Sequence, residues 1–289
     1  MTRRNRQGRL LGPALAVILA GCAGTTGVTQ PQDQASRLLA EAQQEYARGA
    51  QAESAATLSQ ALRRFPDRAD VWNARAFVLA GQGRTDDAIA DLTQAVRLAP
   101  GQARYHQNLG VALLQAGRED EALTALNDAL RLDPRSAPAL THRGLLHRRA
   151  GRLDAALADY DTALALDGRN AVLYANRAVV HALAGSLQAA LADLDHALAL
   201  DGSLRQAYES RALVRLQLLQ FDRAVADFTT AIQLGAAGAE LHYNRGVAYA
   251  LRGEPGEANR DFALACQGGY SRACPRIAAP APPETGAGR

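Results

Sequence analysis

Four columns of residues recur along this chain with a period of 34, and that periodicity limits the fold more than any other feature. Gly49, Gly83, Gly117, Gly151, Gly185 and Gly253 stand 34 residues or a multiple of it apart, and Leu219 takes the one vacant place. In the same register lie Ala88, Ala122, Ala156, Ala190, Ala224 and Ala258, then Ala61, Ala95, Ala129, Ala163, Ala197, Ala231 and Ala265. Pro66, Pro100 and Pro134 close the pattern. A chain built this way repeats one supersecondary unit, because a single unit cannot bury its apolar face without neighbours.

Apolar residues fall at helical spacing twice in each period, as in Leu109, Ala112 and Leu113 before the Gly and Ala122, Leu123, Leu126 and Leu130 after it. Each unit is therefore a pair of helices. The Gly suits a left-handed C-cap on the first helix, the Pro stops the second, and the Ala columns allow close approach. An Ala-rich composition with 1 Trp and 1 Met fits many similar helices. Trp72, Ala76, Leu79, Ala88, Leu92, Ala95 and Pro100 in one unit, with Leu109, Gly110, Ala122, Ala129 and Pro134 in the next, resemble the signature of the tetratricopeptide repeat (TPR) family. The resemblance covers about 35–272. It implies an all-α fold, a right-handed superhelical solenoid of seven TPR helix-turn-helix repeats with a short C-terminal capping helix. Units begin at Ala35, Ala69, Ala103, Ala137, Ala171, Arg205 and Ala239. The first is weakest, with Ser54 in an Ala column, and is expected to fray or to act as a cap. Gly168, Gly202 and Ala236 replace the Pro in units four to six, which predicts less rigid exits there.

Positions 7 and 23 of a unit are equally far from its turn and should face each other across the hairpin. Arg75, Arg143, Arg177, Arg211 and Arg245 occupy the first, and Asp91, Asp159, Asp193, Asp227 and Asp261 the second. The third unit has neither charge and carries Leu109 and Ala125 instead. Arginine and aspartate appear and vanish together, which predicts five structural ion pairs within hairpins.

Targeting segments are read before fold. Arg3, Arg4, Arg6 and Arg9 precede an apolar stretch from Leu10 to Ala20, too short for the roughly 20 residues that span a bilayer. Residues 1–21 read as a signal peptide. Leu19-Ala20-Gly21-Cys22 resembles the bacterial lipobox, which implies lipidation of Cys22 and a lipid anchor in the membrane without a spanning helix. Ala23 after the Cys implies the periplasmic face of the outer membrane. Residues 22–34 are expected to form a lipidated flexible tether, 35–278 the solenoid, and 279–289 a disordered Pro-rich tail. Loss of 1–21 takes the formal charge from +3 to −1, no Lys is present, and no basic run survives. That composition excludes a nucleic-acid footprint.

Two cysteines remain after Cys22, Cys266 and Cys274, an even pair in a chain read as secreted. A disulfide, two free thiols and part of a metal site are the open readings, though two Cys alone do not complete a zinc site. The segment 265–274 resembles the C-x7-C bridge of cysteine-rich secreted helical-repeat solenoids, which implies a disulfide. A capping helix from about Ser271 to Ala278 would then cover the last hairpin.

No catalytic constellation emerges from spacing. His106 and His242 fall at position 4 and His147 and His181 at position 11, all packing positions, and no metalloprotease, phosphate-loop or dinucleotide motif is present. The chain reads as no enzyme, with no metal and no cofactor. The family resemblance implies a concave groove lined by first-helix positions 2, 5, 6, 9, 12 and 13. Here that lining includes Asn73, Phe77, Gln107, Asn108, Val111, Leu114, His142, Leu145, Asn176, Val179, Leu213, Tyr243, Asn244 and Val247. Amides mixed with an apolar stripe fit a protein or peptide partner, with about half the residues serving as core between units. The family's terminal-carboxylate clamp is not supported, because position 5 lacks Lys and position 9 is apolar. The expected function is a membrane-anchored, non-catalytic scaffold, an envelope assembly or peptidoglycan-hydrolase adaptor. A pilotin-like assembly lipoprotein is the alternative, and an end-to-end homodimer is open.

Overall fold

A computed structural model of the protein describes residues 31–235 and 238–277. Fourteen α-helices occur among the described residues and run in consecutive antiparallel pairs. The first unit is α1 (Pro31–Ala47) and α2 (Gln51–Arg64), the second α3 (Ala69–Gly81) and α4 (Thr85–Leu98), the third α5 (Ala103–Gln115) and α6 (Glu119–Leu132). The fourth is α7 (Ala137–Arg149) and α8 (Leu153–Leu166), the fifth α9 (Ala171–Leu183) and α10 (Leu187–Leu200). The sixth is α11 (Arg205–Gln217) and α12 (Phe221–Gln233), the seventh α13 (Ala239–Arg252) and α14 (Pro255–Gln267). No strand occurs among the described residues, and no helix of them is long and apolar enough to cross a membrane.

The Gly column makes each hairpin. Its φ lies between 71° and 86°, the left-handed region that L side chains avoid, and the following N–H reaches back to the carbonyl of position 11, as in Arg84 to Leu79 and Arg118 to Leu113, both 2.9 Å. Leu219 adopts the same conformation with φ 59° and keeps the bond, Gln220 to Arg215 at 2.9 Å. The Ala columns set the interhelix distance. Every Ala of the column from Ala61 to Ala265 is 0% exposed, so a larger side chain there would push two helices apart. Position 8 obeys the same rule against the large residue at position 24. A Cβ on Gly110 would lie 2.7 Å from Leu126 Cγ, and one on Gly246 2.8 Å from Phe262 Cε1.

First helices of successive units touch each other at all six junctions, whereas second helices do not pair at that range. That asymmetry places first helices on the inner, concave side and second helices outside. The first unit packs like the rest: Ser54, buried, donates its hydroxyl to the Ala42 carbonyl at 2.7 Å, which removes the cost of a polar group in the Ala column. Its first helix starts at Pro31, so 31–34 are helix rather than tether, with proline at the helix start where its missing N–H is not needed. Units four and five end their second helices at Leu166 and Leu200, in register with Leu132, although Gly replaces Pro.

The chain's last described element is a 3-10 helix, Ser271–Arg276, in place of the expected longer capping helix to Ala278. Pro275 lies within it, and a proline there cannot donate the backbone bond that an α-helix needs. The signal peptide, Cys22, the tether up to residue 30, Ala236, Ala278 and the tail 279–289 lie outside the described residues.

Candidate binding face and its supports

The structure brings each expected arginine onto its aspartate in the same bidentate way. Nε and Nη2 of Arg75, Arg143, Arg177, Arg211 and Arg245 donate to the two carboxylate oxygens of Asp91, Asp159, Asp193, Asp227 and Asp261 over 2.7–2.9 Å. The five aspartates are buried, and such charges persist indoors only when paired and hydrogen-bonded. Arg177 illustrates the result: hydrogen bonds to Asp193 raise its pKa against the opposing effect of burial.

Sequence reasoning missed the third arm of this clamp. Nη1 of each arginine crosses to position 25 of the preceding unit, at Ser59, Asn127, Asp161, Asp195 and Thr229, over 2.6–3.2 Å. The arginine therefore ties its own hairpin and the junction behind it. The signal was present in units one to six as a column of unlike but polar residues, which identity matching does not detect. A second junction bond comes from position 4: Trp72 Nε1 donates to the Pro66 carbonyl at 2.8 Å and His106 Nε2 lies 2.9 Å from that of Pro100. The histidines are thus tied to structure. His242 Nδ1 lies 3.2 Å from Asp261, and His147 and His181 each sit 3.9 Å from an ion-paired aspartate. No group of three potential metal ligands occurs among the described residues.

On the concave side the first three units enclose a cavity of about 290 Å³. Leu39, Tyr46, Phe77 and Val111 give it apolar walls, with Asn73 and Asn108 at its polar edge and Asp70 and Arg104 alongside. Four of the predicted groove residues, Asn73, Phe77, Asn108 and Val111, line it, and Tyr46 packs edge-on against Phe77 with centroids 5.0 Å apart. Leu39 and Tyr46 come from the first unit and stand outside the lining expected from the sequence. The lining positions are 2, 5, 6, 9, 12 and 13 of first helices, with some core neighbours.

The amides are partly engaged already. Asn108 Nδ2 donates to Asn73 Oδ1 at 2.7 Å, and Gln107 accepts from Ser136 Oγ at 2.8 Å. Asn176 and Asn244 are partly buried and make no side-chain hydrogen bond among the described residues. Leu114 packs on the central core, Leu145 and Val179 are partly buried, and Leu213 is exposed. Burial lowers the His142 pKa and keeps the ring neutral. Tyr243 and Val247 are partly buried and pack on the terminal cluster with Phe262 and Tyr270. Tyr243 stacks 5.0 Å from Tyr270, and Arg276 lies over its ring at 5.4 Å. A disulfide between Cys266 and Cys274, with Cα atoms 5.0 Å apart, fastens the 3-10 helix to α14.

Comparisons with known proteins agree on the repeat. Tetratricopeptide repeat models match residues 67–135, 141–204 and 210–273. None of the curated proteins compared is similar to the chain in sequence. Among solved structures, a tetratricopeptide repeat protein from Parabacteroides merdae is 20% identical with TM-score 0.67, over 84% of this chain and 97% of that one. The Pseudomonas aeruginosa pilF protein is 17% identical with TM-score 0.62, over 69% and 90%. YrrB, described as a TPR protein with an unusual peptide-binding site, is 22% identical with TM-score 0.50, over 61% and 91%. At these identities the likeness carries the fold alone. With three stretches matched and seven helical hairpins in one register, the chain belongs to the tetratricopeptide repeat family.

Proposed function

We propose that this protein is a membrane-anchored, non-catalytic scaffold that holds a peptide segment of a protein partner in its concave face. The observation that carries the reading is the cavity between α1, α3 and α5, whose apolar walls and amide edge suit one large side chain and the backbone beside it. Pockets of this kind supply most of the affinity of a peptide through a single buried anchor. The anchor and the compartment rest on the sequence Leu19-Ala20-Gly21-Cys22, and a disulfide at the solenoid end fits an oxidising compartment. On that reading the protein works at the periplasmic face of the outer membrane, as an adaptor for envelope assembly or peptidoglycan hydrolases.

Affinity capture from envelope extract, with wild type beside Val111→Glu, tests the face. A specific partner lost from the variant at unchanged helical content supports the reading, whereas an identical partner set places binding elsewhere. Cys22→Ser tests the anchor: the protein should leave the membrane fraction, and its retention there would refute lipid attachment at that residue.

A further inference from the structure

Ten partly buried arginines are present among the described residues, and nine of them meet a carboxylate: Arg68, Arg75, Arg143, Arg177, Arg205, Arg211, Arg215, Arg245 and Arg252. Arg148 is the tenth and has none. It stands at position 12 of α7, the register of Tyr46 and Ala80 in the cavity wall, so it belongs to the concave face at the middle of the solenoid. A cation half withdrawn from water without a counter-charge is costly unless something completes it.

Beneath it lies a buried hydroxyl. Tyr160 is the one tyrosine at position 24, where the other units carry Leu or Phe. Gly144 leaves room for its ring: a Cβ there would lie 3.1 Å from both Cε1 and Cζ. The ring therefore passes α7 at Gly144, one helical turn from Arg148, and carries its hydroxyl toward the same face. Tyr160 is 0% exposed, and the guanidinium of Arg148 is the neighbour of its hydroxyl, which has no closer partner among the described residues. Burial, opposed by the charge and the hydrogen bonding of nearby Arg148, pushes its pKa up to about 12, so the hydroxyl keeps its proton. A phenylalanine would fill the same space without the polar group.

We propose that Arg148, held in place by the Tyr160 hydroxyl beneath it, forms a subsite for one Asp or Glu side chain of the bound peptide. The guanidinium supplies charge and a fork of donors, and the phenol, buried beneath it, holds the guanidinium toward the groove. This rests on the concave face being the binding face and adds the chemistry of its centre: a ligand with an apolar residue for the cavity of units one to three and a carboxylate for unit four.

The test uses peptides selected from a random 12-residue display library on the full chain without its signal peptide, then synthesised as C-terminal amides so that only side-chain carboxylates are present. The expected result is an Asp or Glu whose change to Asn or Gln weakens binding about tenfold on wild type and has no effect on Arg148→Met. Tyr160→Phe, which keeps the ring against Gly144, should weaken the same peptides while leaving thermal stability equal or higher; an unchanged affinity would remove the hydroxyl from the subsite. Binders that are lost on Val111→Glu but keep their affinity on Arg148→Met would overturn the subsite and leave the groove standing. Binders indifferent to Val111→Glu, or none at all, would remove the groove reading and this subsite with it.

Discussion

Replacing Arg143 by Leu and Asp159 by Ala, singly and together, measures what the repeated ion pair contributes. Asp159 is 5% exposed and takes two hydrogen bonds, of 2.9 and 2.7 Å, from Arg143, whose own side chain is 26% exposed. Arg143→Leu leaves that carboxylate with only His147 at 3.9 Å, a ring whose pKa burial depresses. Breaking a fully buried pair from one side costs about 3–5 kcal/mol, and the water admitted by the exposed quarter of Arg143 reduces this to about 2–3 kcal/mol. Asp159→Ala is milder at about 1–2 kcal/mol, because the guanidinium keeps Asn127 at 3.0 Å and can turn to solvent. The double variant recreates the Leu109 and Ala125 pair that unit three uses in the same fold, so its cost should stay within about 1 kcal/mol. Urea unfolding of the four proteins, with equal slopes as a condition, gives the coupling. A double variant that loses as much as the two singles summed would refute the reasoning, since the pair would then stabilise by independent contacts.

Gly110→Ala puts a Cβ 2.7 Å from Leu126 Cγ and should lower stability by about 1–3 kcal/mol in urea unfolding, while Ala at the open Gly101 should change it little. Leu219→Gly replaces a 72% exposed residue held at φ 59°; relief of about 1–2 kcal/mol, set against about 0.5–1 kcal/mol of added chain entropy, predicts a small rise in Tm, and a fall would show that the leucine packs on something. His142 has a folded pKa below its ordinary 6.5 because burial disfavours the charge. The unfolded chain therefore binds more protons as pH falls through 6.5, and stability should decline there; His142→Asn should flatten that dependence in urea midpoints taken at several pH values between about 7.5 and 5.

The helical hairpin was legible because everything that makes it is local: a left-handed Gly at one place, small residues at two, and apolar spacing between them. The ion pairs were legible for a related reason, since positions equidistant from a turn face each other whatever the neighbouring units do. Unit three reinforced this by losing both charges at once. Its exchange of Arg and Asp for Leu109 and Ala125 shows the sequence treating two distant positions as one site.

What lies between units was decided only in three dimensions. The reach of Arg177 to Asp161, the bond from Trp72 to the Pro66 carbonyl and the closure of a cavity by Leu39 and Tyr46 all depend on how one hairpin is inclined to the next. That inclination comes from side-chain packing summed over whole helices, which no short motif encodes. The stacking of Tyr243 on Tyr270 likewise depends on the terminal cap, because the last unit has a 3-10 helix where every other has a neighbour. Period and pairing thus follow from the sequence alone, since they are properties of one unit, whereas the concave face belongs to the stack, whose curvature arises where first helices touch and second helices do not.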